Sequence, residues 1–143
     1  MNDVITRLKD KDEKAAYEYV KQLGKESADS DKYLVMILEF AAMLDDKNSY
    51  VRTRGFGLIC NQARWAVDGQ IEAVFDKMSV LLNDDKPTVV RQCLKALHEV
   101  VIYRPELTDR IAGAVKKIDL SKYKDSMSPL IEKDMNELLQ WHI

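Results

Sequence analysis

The chain has 143 residues, 46% of them hydrophobic, and its 22 basic residues against 24 acidic ones give a formal charge of −2. That balance excludes a mostly disordered chain and supplies no global field toward nucleic acid or a membrane surface. With only five Gly and three Pro, long periodic stretches rich in Leu, Ala, Met, Glu and Lys favour helices over strands, and the length suits a single domain, 1–143.

Val4, Ile5 and Leu8 predict a short leading helix. Asp12-Glu13 opens a second, with Ala15, Ala16, Tyr19, Val20 and Leu23 on one side, ending in the turn chemistry between Gly24 and Asp31. Residues 1–29 thus read as a degenerate first unit. From Lys32 to Leu44 apolar residues stand at 34, 35, 37, 38, 41, 42 and 44, more than one face requires, which predicts a central helix flanked on two sides. Its apolar run is well short of the roughly 20 residues a bilayer span needs. The opening Met1-Asn2-Asp3-Val4 has neither the basic nor the apolar region of a secretory signal, so a cytoplasmic protein is expected.

After the turn at Asp45 to Lys47, Asn48 or Ser49 caps a partner helix carrying Val51, Gly55, Leu58, Ile59 and Ala63. This completes a first repeat, 30–67. Ala66-Val67-Asp68-Gly69 breaks the chain, and Ile71, Val74, Phe75, Met78, Leu81 and Leu82 keep helical spacing as far as Asn83. Pro87 fits the first turn of the next helix, whose stripe is Val90, Leu94, Leu97 and Val101, giving a second repeat, 68–104. Pro105 starts another helix through Leu107, Ile111, Ala114, Val115 and Ile118. A polar connection from Asp119 leads to a last helix at about Ser128-Pro129, with Ile131, Met135, Leu138 and Leu139. Residues 105–143 read as a capping repeat.

One segment occurs twice. Asp45-Asp46-Lys47 with Val51-Arg52 is restated by Asp84-Asp85-Lys86 with Val90-Arg91, 39 residues later, which sets Leu58 on Leu97 and is the period of a two-helix repeat. On these residues the chain resembles the HEAT-repeat family of the armadillo-like class, and in particular small bacterial HEAT-like proteins. The resemblance implies an all-α, right-handed α–α superhelix of about three stacked antiparallel helix pairs. Stacking sets the turn of one unit beside the turn of the next, so Asp46, Arg52, Asp85 and Arg91 are expected to form a structural ladder of carboxylates and arginine forks.

No constellation for chemistry is legible. His98 and His142 lack a second ligand at useful spacing, so no metal is expected. Cys60 and Cys93 are isolated thiols on separate helices and read as small core residues. Phosphate-loop and hydrolase signatures are missing, no cofactor is expected and no catalytic residue is assigned.

The helix following Asn48 stands out by charge. Between Asp46 and Asp68 the sequence places Lys47, Arg52, Arg54 and Arg64 without a carboxylate. Tyr50, Arg54, Gly57, Asn61 and Arg64 form one stripe with a bare step at Gly57. Moved by 39 residues, that stripe becomes the apolar set Val89, Cys93, Ala96, Val100 and Tyr103. The contrast makes Tyr50, Arg54, Asn61 and Arg64, with Trp65 beside them, candidates for binding a partner. The competing reading is internal, with the arginines meeting Asp12, Glu13 or Glu18. A non-enzymatic scaffold or adaptor that binds another protein is the function expected. The second reading is nucleic-acid binding, because HEAT-like stacks include DNA glycosylases for alkylated bases, and Arg64 with Trp65-Ala66-Val67-Asp68 is a faint echo of their side-chain set. The lack of a strongly basic face argues against it. The identity of the partner and the oligomeric state are not specified by the sequence.

Overall fold

A computed structural model describes residues 2–140; His142 lies outside them. The described residues form eight α-helices and no strand: α1 (Asn2–Leu8), α2 (Glu13–Asp29), α3 (Ile37–Ala42), α4 (Ser49–Asn61), α5 (Gln70–Val80), α6 (Pro87–Tyr103), α7 (Thr108–Lys116) and α8 (Ser128–Leu139). Short 3-10 turns flank α3 at Leu34–Met36 and Met43–Asp45 and follow α5 at Leu81–Asn83; two more occur at Pro105–Leu107 and Leu120–Lys122. Every second helix packs on the next of its kind, α2 on α4, α4 on α6 and α6 on α8, while α3 packs on α4 and α5. The core between them is built from fully buried Phe40, Phe56, Leu58, Ile59, Ile71, Met78, Leu82, Leu94 and Leu97.

The second helix ends at Asp29, within the expected stretch from Gly24 to Asp31. Gly24 is where α4 comes close, since a β-carbon there would lie 3.3 Å from Asn61 Oδ1, and Ser27 is fully buried against the same neighbour. One expectation about the elements is corrected. The stretch from Lys32 to Leu44 is not one helix covered on two sides. Only Ile37–Ala42 is α-helical, and the 3-10 turns at each end rotate Met36, Met43 and Leu44 inward. Val35 and Leu38 are left 71% and 68% exposed.

Two glycines have specific duties in the packing. At Gly55 a β-carbon would sit 2.7 Å from the Phe40 carbonyl oxygen and 2.8 Å from Met43 Cβ, so α3 and its trailing turn approach α4 to a distance only glycine allows. Gly69 takes φ +82°, a left-handed conformation that suits glycine, at the cap position before α5.

The register of the repeat is also corrected. Asp46 Oδ1 accepts a hydrogen bond from the Asn48 amide (2.8 Å), and Asp84 Oδ2 accepts the same bond from the Lys86 amide (3.0 Å). Asn48 and Lys86 are the caps of α4 and α6, which begin at Ser49 and Pro87, a step of 38 residues rather than 39. Leu58 and Leu97 are both fully buried yet are not equivalent; Ile59 is the counterpart of Leu97. The repeated Asp-Asp-Lys is therefore one residue out of phase with the fold, because the apolar pairs Met43-Leu44 and Leu81-Leu82 are what lock each turn into the core.

The same shift redraws the ladder. Arg52 reaches Asp84 with both arms of its fork, Nε to Oδ1 at 3.0 Å and a terminal nitrogen to Oδ2 at 3.1 Å, and donates to the carbonyls of Asp46 (3.0 Å) and Lys47 (3.1 Å). Asp85, expected in this position, is instead fully exposed at 4.0 Å from Lys122. Arg91 turns to α8, where Nε meets the buried Asp134 carboxylate at 2.6 Å. Asp46 itself has Lys9 at 3.7 Å, and the Tyr123 hydroxyl donates to the Asp84 carbonyl at 2.7 Å. Successive turns are thus tied, but by different residues at each step.

Replacing either Leu58 or Leu97 by Ala is expected to destabilise the protein by about 2–5 kcal/mol in urea unfolding, since each leaves a cavity in a fully packed core. The α4 glycines should respond in opposite directions. Gly55→Ala forces α3 away and should lower the unfolding midpoint, whereas Gly57→Ala meets nothing within 4 Å and should stabilise by about 0.5–1 kcal/mol through the helix propensity of alanine.

Candidate partner-binding groove

Helices α2, α4 and α6 pack in sequence order, α2 on α4 and α4 on α6. Near the end of α2 the contact with α4 is tight and polar. Gln62 donates to Ser27 Oγ at 3.1 Å in a fully buried setting, the Trp65 indole donates to the Ser27 carbonyl at 2.6 Å, and Arg64 donates to the Ala28 carbonyl at 2.8 Å. Ser27 and Ala28 belong to the last turn of α2, whose carbonyls have no partner within the helix. Arg64 and Trp65 supply those partners from α4's exit, and the Arg64 guanidinium also stacks 4.4 Å from the centre of the Tyr103 ring.

Toward the N-terminal ends of the same helices the surfaces part, leaving a groove of about 890 Å³. Its floor is α4, through Tyr50, Arg54, Gly57, Cys60 and Asn61; Lys14, Tyr17 and Val20 of α2 form one wall, and Thr88, Gln92 and Glu99 of α6 the other. Gly57 supplies bare backbone in the middle of the floor, with nothing within 4 Å of where a side chain would begin. The buried Cys60 thiol is pushed well above its ordinary pKa, first by burial and then by Cys93 and Glu99, so it stays protonated and acts as part of an apolar floor.

Charge within the groove is organised in pairs. Arg54 is nearly buried, donates to the Leu8 carbonyl at the end of α1 (2.8 Å) and forms an ion pair with Glu13. Asn61 donates to Glu99 at 2.9 Å across the α4–α6 boundary. These two residues are 38 apart and occupy matching positions on successive helices, so the neighbour of Asn61 is Glu99 and not Val100. In the corrected register the counterparts of the α4 stripe are Thr88, Gln92, Lys95, Glu99 and Ile102, a mostly polar set. The contrast between the two copies that singled out the stripe therefore came from the one-residue slip.

The five candidate residues are separated by the structure. Tyr50, Arg54 and Asn61 line the groove; Arg64 and Trp65 do not, being engaged with the end of α2. The walls went unnoticed in the sequence because Tyr17, Lys14, Thr88 and Gln92 belong to no local motif and only the packing of three helices brings them together. The equivalent caps at Asn48 and Lys86 held the one usable signal, since aligning on them sets Asn61 beside Glu99. Among the described residues no group of three or more His, Cys, Asp and Glu side chains is placed to hold a metal ion, and no helix is long and apolar enough to cross a membrane. No known protein family, curated protein or solved structure matches the chain.

Removing the Arg64 side chain takes a partner from the end of α2 and uncovers the Tyr103 ring. Arg64→Ala is expected to destabilise by about 1–3 kcal/mol in urea, as is Arg54→Ala, which leaves the Leu8 carbonyl and Glu13 without their donor. Unchanged midpoints in both variants would show that these arginines are not internal ties.

Proposed function

We propose that the chain is a non-enzymatic helical-repeat scaffold or adaptor that binds another protein in the groove between α2, α4 and α6. In the finer picture the helix pairs stack in the manner of HEAT and armadillo repeats, as a right-handed α–α superhelix of about three pairs, with the turns tied by Arg52 and Asp84. The observation that carries the reading is the groove itself. It combines bare backbone at Gly57, buried apolar surface at Cys60 and Val89, and two tyrosines, Tyr17 and Tyr50, that are 60% and 61% exposed at its edges. Exposed aromatic residues beside an apolar floor are the composition of a protein-binding patch rather than of ordinary surface. A cytoplasmic setting accords with two buried, unpaired thiols, Cys60 and Cys93.

Nucleic-acid binding is the weaker reading. The residues that suggested it, Arg64 and Trp65, have their polar groups directed at Ser27 and Ala28, and the chain offers no dense basic face for phosphates. A mobility-shift assay at low salt is expected to show no complex at micromolar protein.

Filling the groove tests the protein-binding reading. Gly57→Phe places a ring over the floor in open space, whereas Val35→Asp with Leu38→Asp alters exposed residues in the turn before α3 and in α3 itself. A partner captured from native lysate by the unaltered chain should be lost with the first variant and retained with the second. Loss with the second alone would move the binding surface to α3.

A further inference from the structure

We propose that α1 is a strap beside the groove: it undocks as a unit while the other helices stay folded, and Arg54, which caps it from the groove floor, sets how readily it lets go. This holds whether or not a protein fills the groove.

α1 has seven residues, Asn2–Leu8, and a helix that short does not persist in water without tertiary support. Much of its support gathers at its C-terminal end. Leu8 is fully buried, Val4 and Ile5 are half-buried against the core, and Asp3, Thr6 and Arg7 are exposed. Arg7 lies over the Tyr19 ring at 3.7 Å, Lys9 forms a half-exposed ion pair with Asp46 at 3.7 Å, and the Leu8 carbonyl accepts a hydrogen bond from Arg54 at 2.8 Å. Exposed ion pairs and exposed cation–π contacts add little, so the burial of Leu8, helped by Val4 and Ile5, and the Arg54 bond carry most of the docking. The neighbours keep their own bonds when α1 leaves. Residues 9–12 are all exposed, and α2 is capped by its own flank: the Asp12 side chain accepts from the Ala15 amide at 3.1 Å, and the Asp10 side chain accepts from the Asp12 amide at 2.9 Å. Asp46 likewise retains the Asn48 amide without Lys9.

Arg54 connects the strap to the groove. The last carbonyls of a helix have no partner within it, and the partial negative charge there favours a cation. For α1 both needs are met from α4, by a side chain 46 residues further along the chain. The same side chain is only 9% exposed, lines the groove and pairs with Glu13, another groove residue. Docked α1 therefore shares Arg54 with the groove; when α1 leaves, the guanidinium keeps Glu13 and loses the Leu8 carbonyl. Docking of α1 and the state of Arg54 form one linked equilibrium, so a change at either is felt at the other.

Amide hydrogen exchange on the full chain, followed by NMR at increasing urea below the unfolding transition, separates local from global opening. The reporters are the Lys9 amide, bonded to the Ile5 carbonyl at 3.1 Å, and the Asp10 amide, bonded to the Arg7 carbonyl at 3.3 Å. Their exchange should depend only weakly on urea and run about ten-fold or more faster than that of mid-helix amides in α4 and α6, which should follow the global transition. Arg54→Ala should speed the two reporters about ten-fold, the effect of losing one charge-assisted bond. Leu8→Asp puts a charge into the buried seat and should release α1, so that its amides exchange as in an unstructured peptide while the chemical shifts of α5 to α8 and a cooperative urea transition persist. Equal urea dependence at Lys9 and in mid-α4 of the unaltered chain overturns the strap, and so does loss of the cooperative transition in Leu8→Asp. Unchanged exchange at Lys9 and Asp10 in Arg54→Ala overturns the part assigned to Arg54.

Discussion

Arg52 is the residue on which the middle of the molecule depends. One guanidinium joins two successive turns: the one before its own helix, through the Asp46 and Lys47 carbonyls, and the next along, through both oxygens of Asp84. A planar fork with five fixed donors can satisfy two carbonyls and one carboxylate at once; a lysine at this position could not hold the same three partners in one geometry. Because Asp84 also accepts from the Lys86 amide, the arginine meets a carboxylate that is already oriented. The distance between successive turns is thereby fixed, and with it the spacing of α4 and α6. Arg91 performs a related service by a different route, reaching past the turns to Asp134 in the body of α8.

How far the sequence could be read follows from the kinds of signal it contains. The helices were legible, since apolar spacing and helix breakers such as Pro87, Pro105 and Gly69 are local signals, and the all-α organisation follows from them. The register was not. A charged motif, Asp-Asp-Lys followed by Val-Arg, recurs at 39 residues, but charged turn residues are free to sit on either side of a turn, whereas the buried pairs Met43-Leu44 and Leu81-Leu82 are not. The fold follows the apolar pairs. A shift of one residue rotates a helix position by about 100°, which is enough to exchange a polar neighbour for an apolar one. That is why Asn61 faces Glu99, and why the arginine-rich stripe looked unmatched when it was not. The groove itself was out of reach of any local pattern, being a property of how three helices diverge.

The groove and the tight contact at its closed end have one origin. Gly24 lets α2 press against Asn61, and Ser27, Gln62, Arg64 and Trp65 tie that end together with polar contacts, although Gln62 Oε1 and Arg64 Nε are buried without a partner. At the other end Arg54 spans the space instead, reaching Leu8 and Glu13 with an extended side chain. An arginine is a long spacer that satisfies polar groups without bringing backbones together. Beside the open step at Gly57, Arg54 pairs with Glu13 and Asn61 bonds to Glu99, so these charges bordering the groove are held by partners across helix boundaries.

The separation in sequence of the ties described above also shapes how the chain reaches its fold. Most join residues some 32 to 46 positions apart, as in Arg52 to Asp84, Trp65 to Ser27 and Arg54 to Leu8. Loop closure over such spans is inexpensive in entropy and grows only slowly with length, so the contacts of each helix mature as soon as its immediate predecessor is in place. Within this scheme α4 is the late element. Its sequence, Ser-Tyr-Val-Arg-Thr-Arg-Gly-Phe-Gly-Leu-Ile-Cys-Asn, combines two glycines with β-branched and aromatic residues that form helices poorly in isolation. A helix packed on α2, α3 and α6 is thus one that forms poorly alone. Its hydrogen bonds are expected to appear only when α3 and α6 are present to shelter them, so that order spreads inward to the centre of the molecule instead of outward from it.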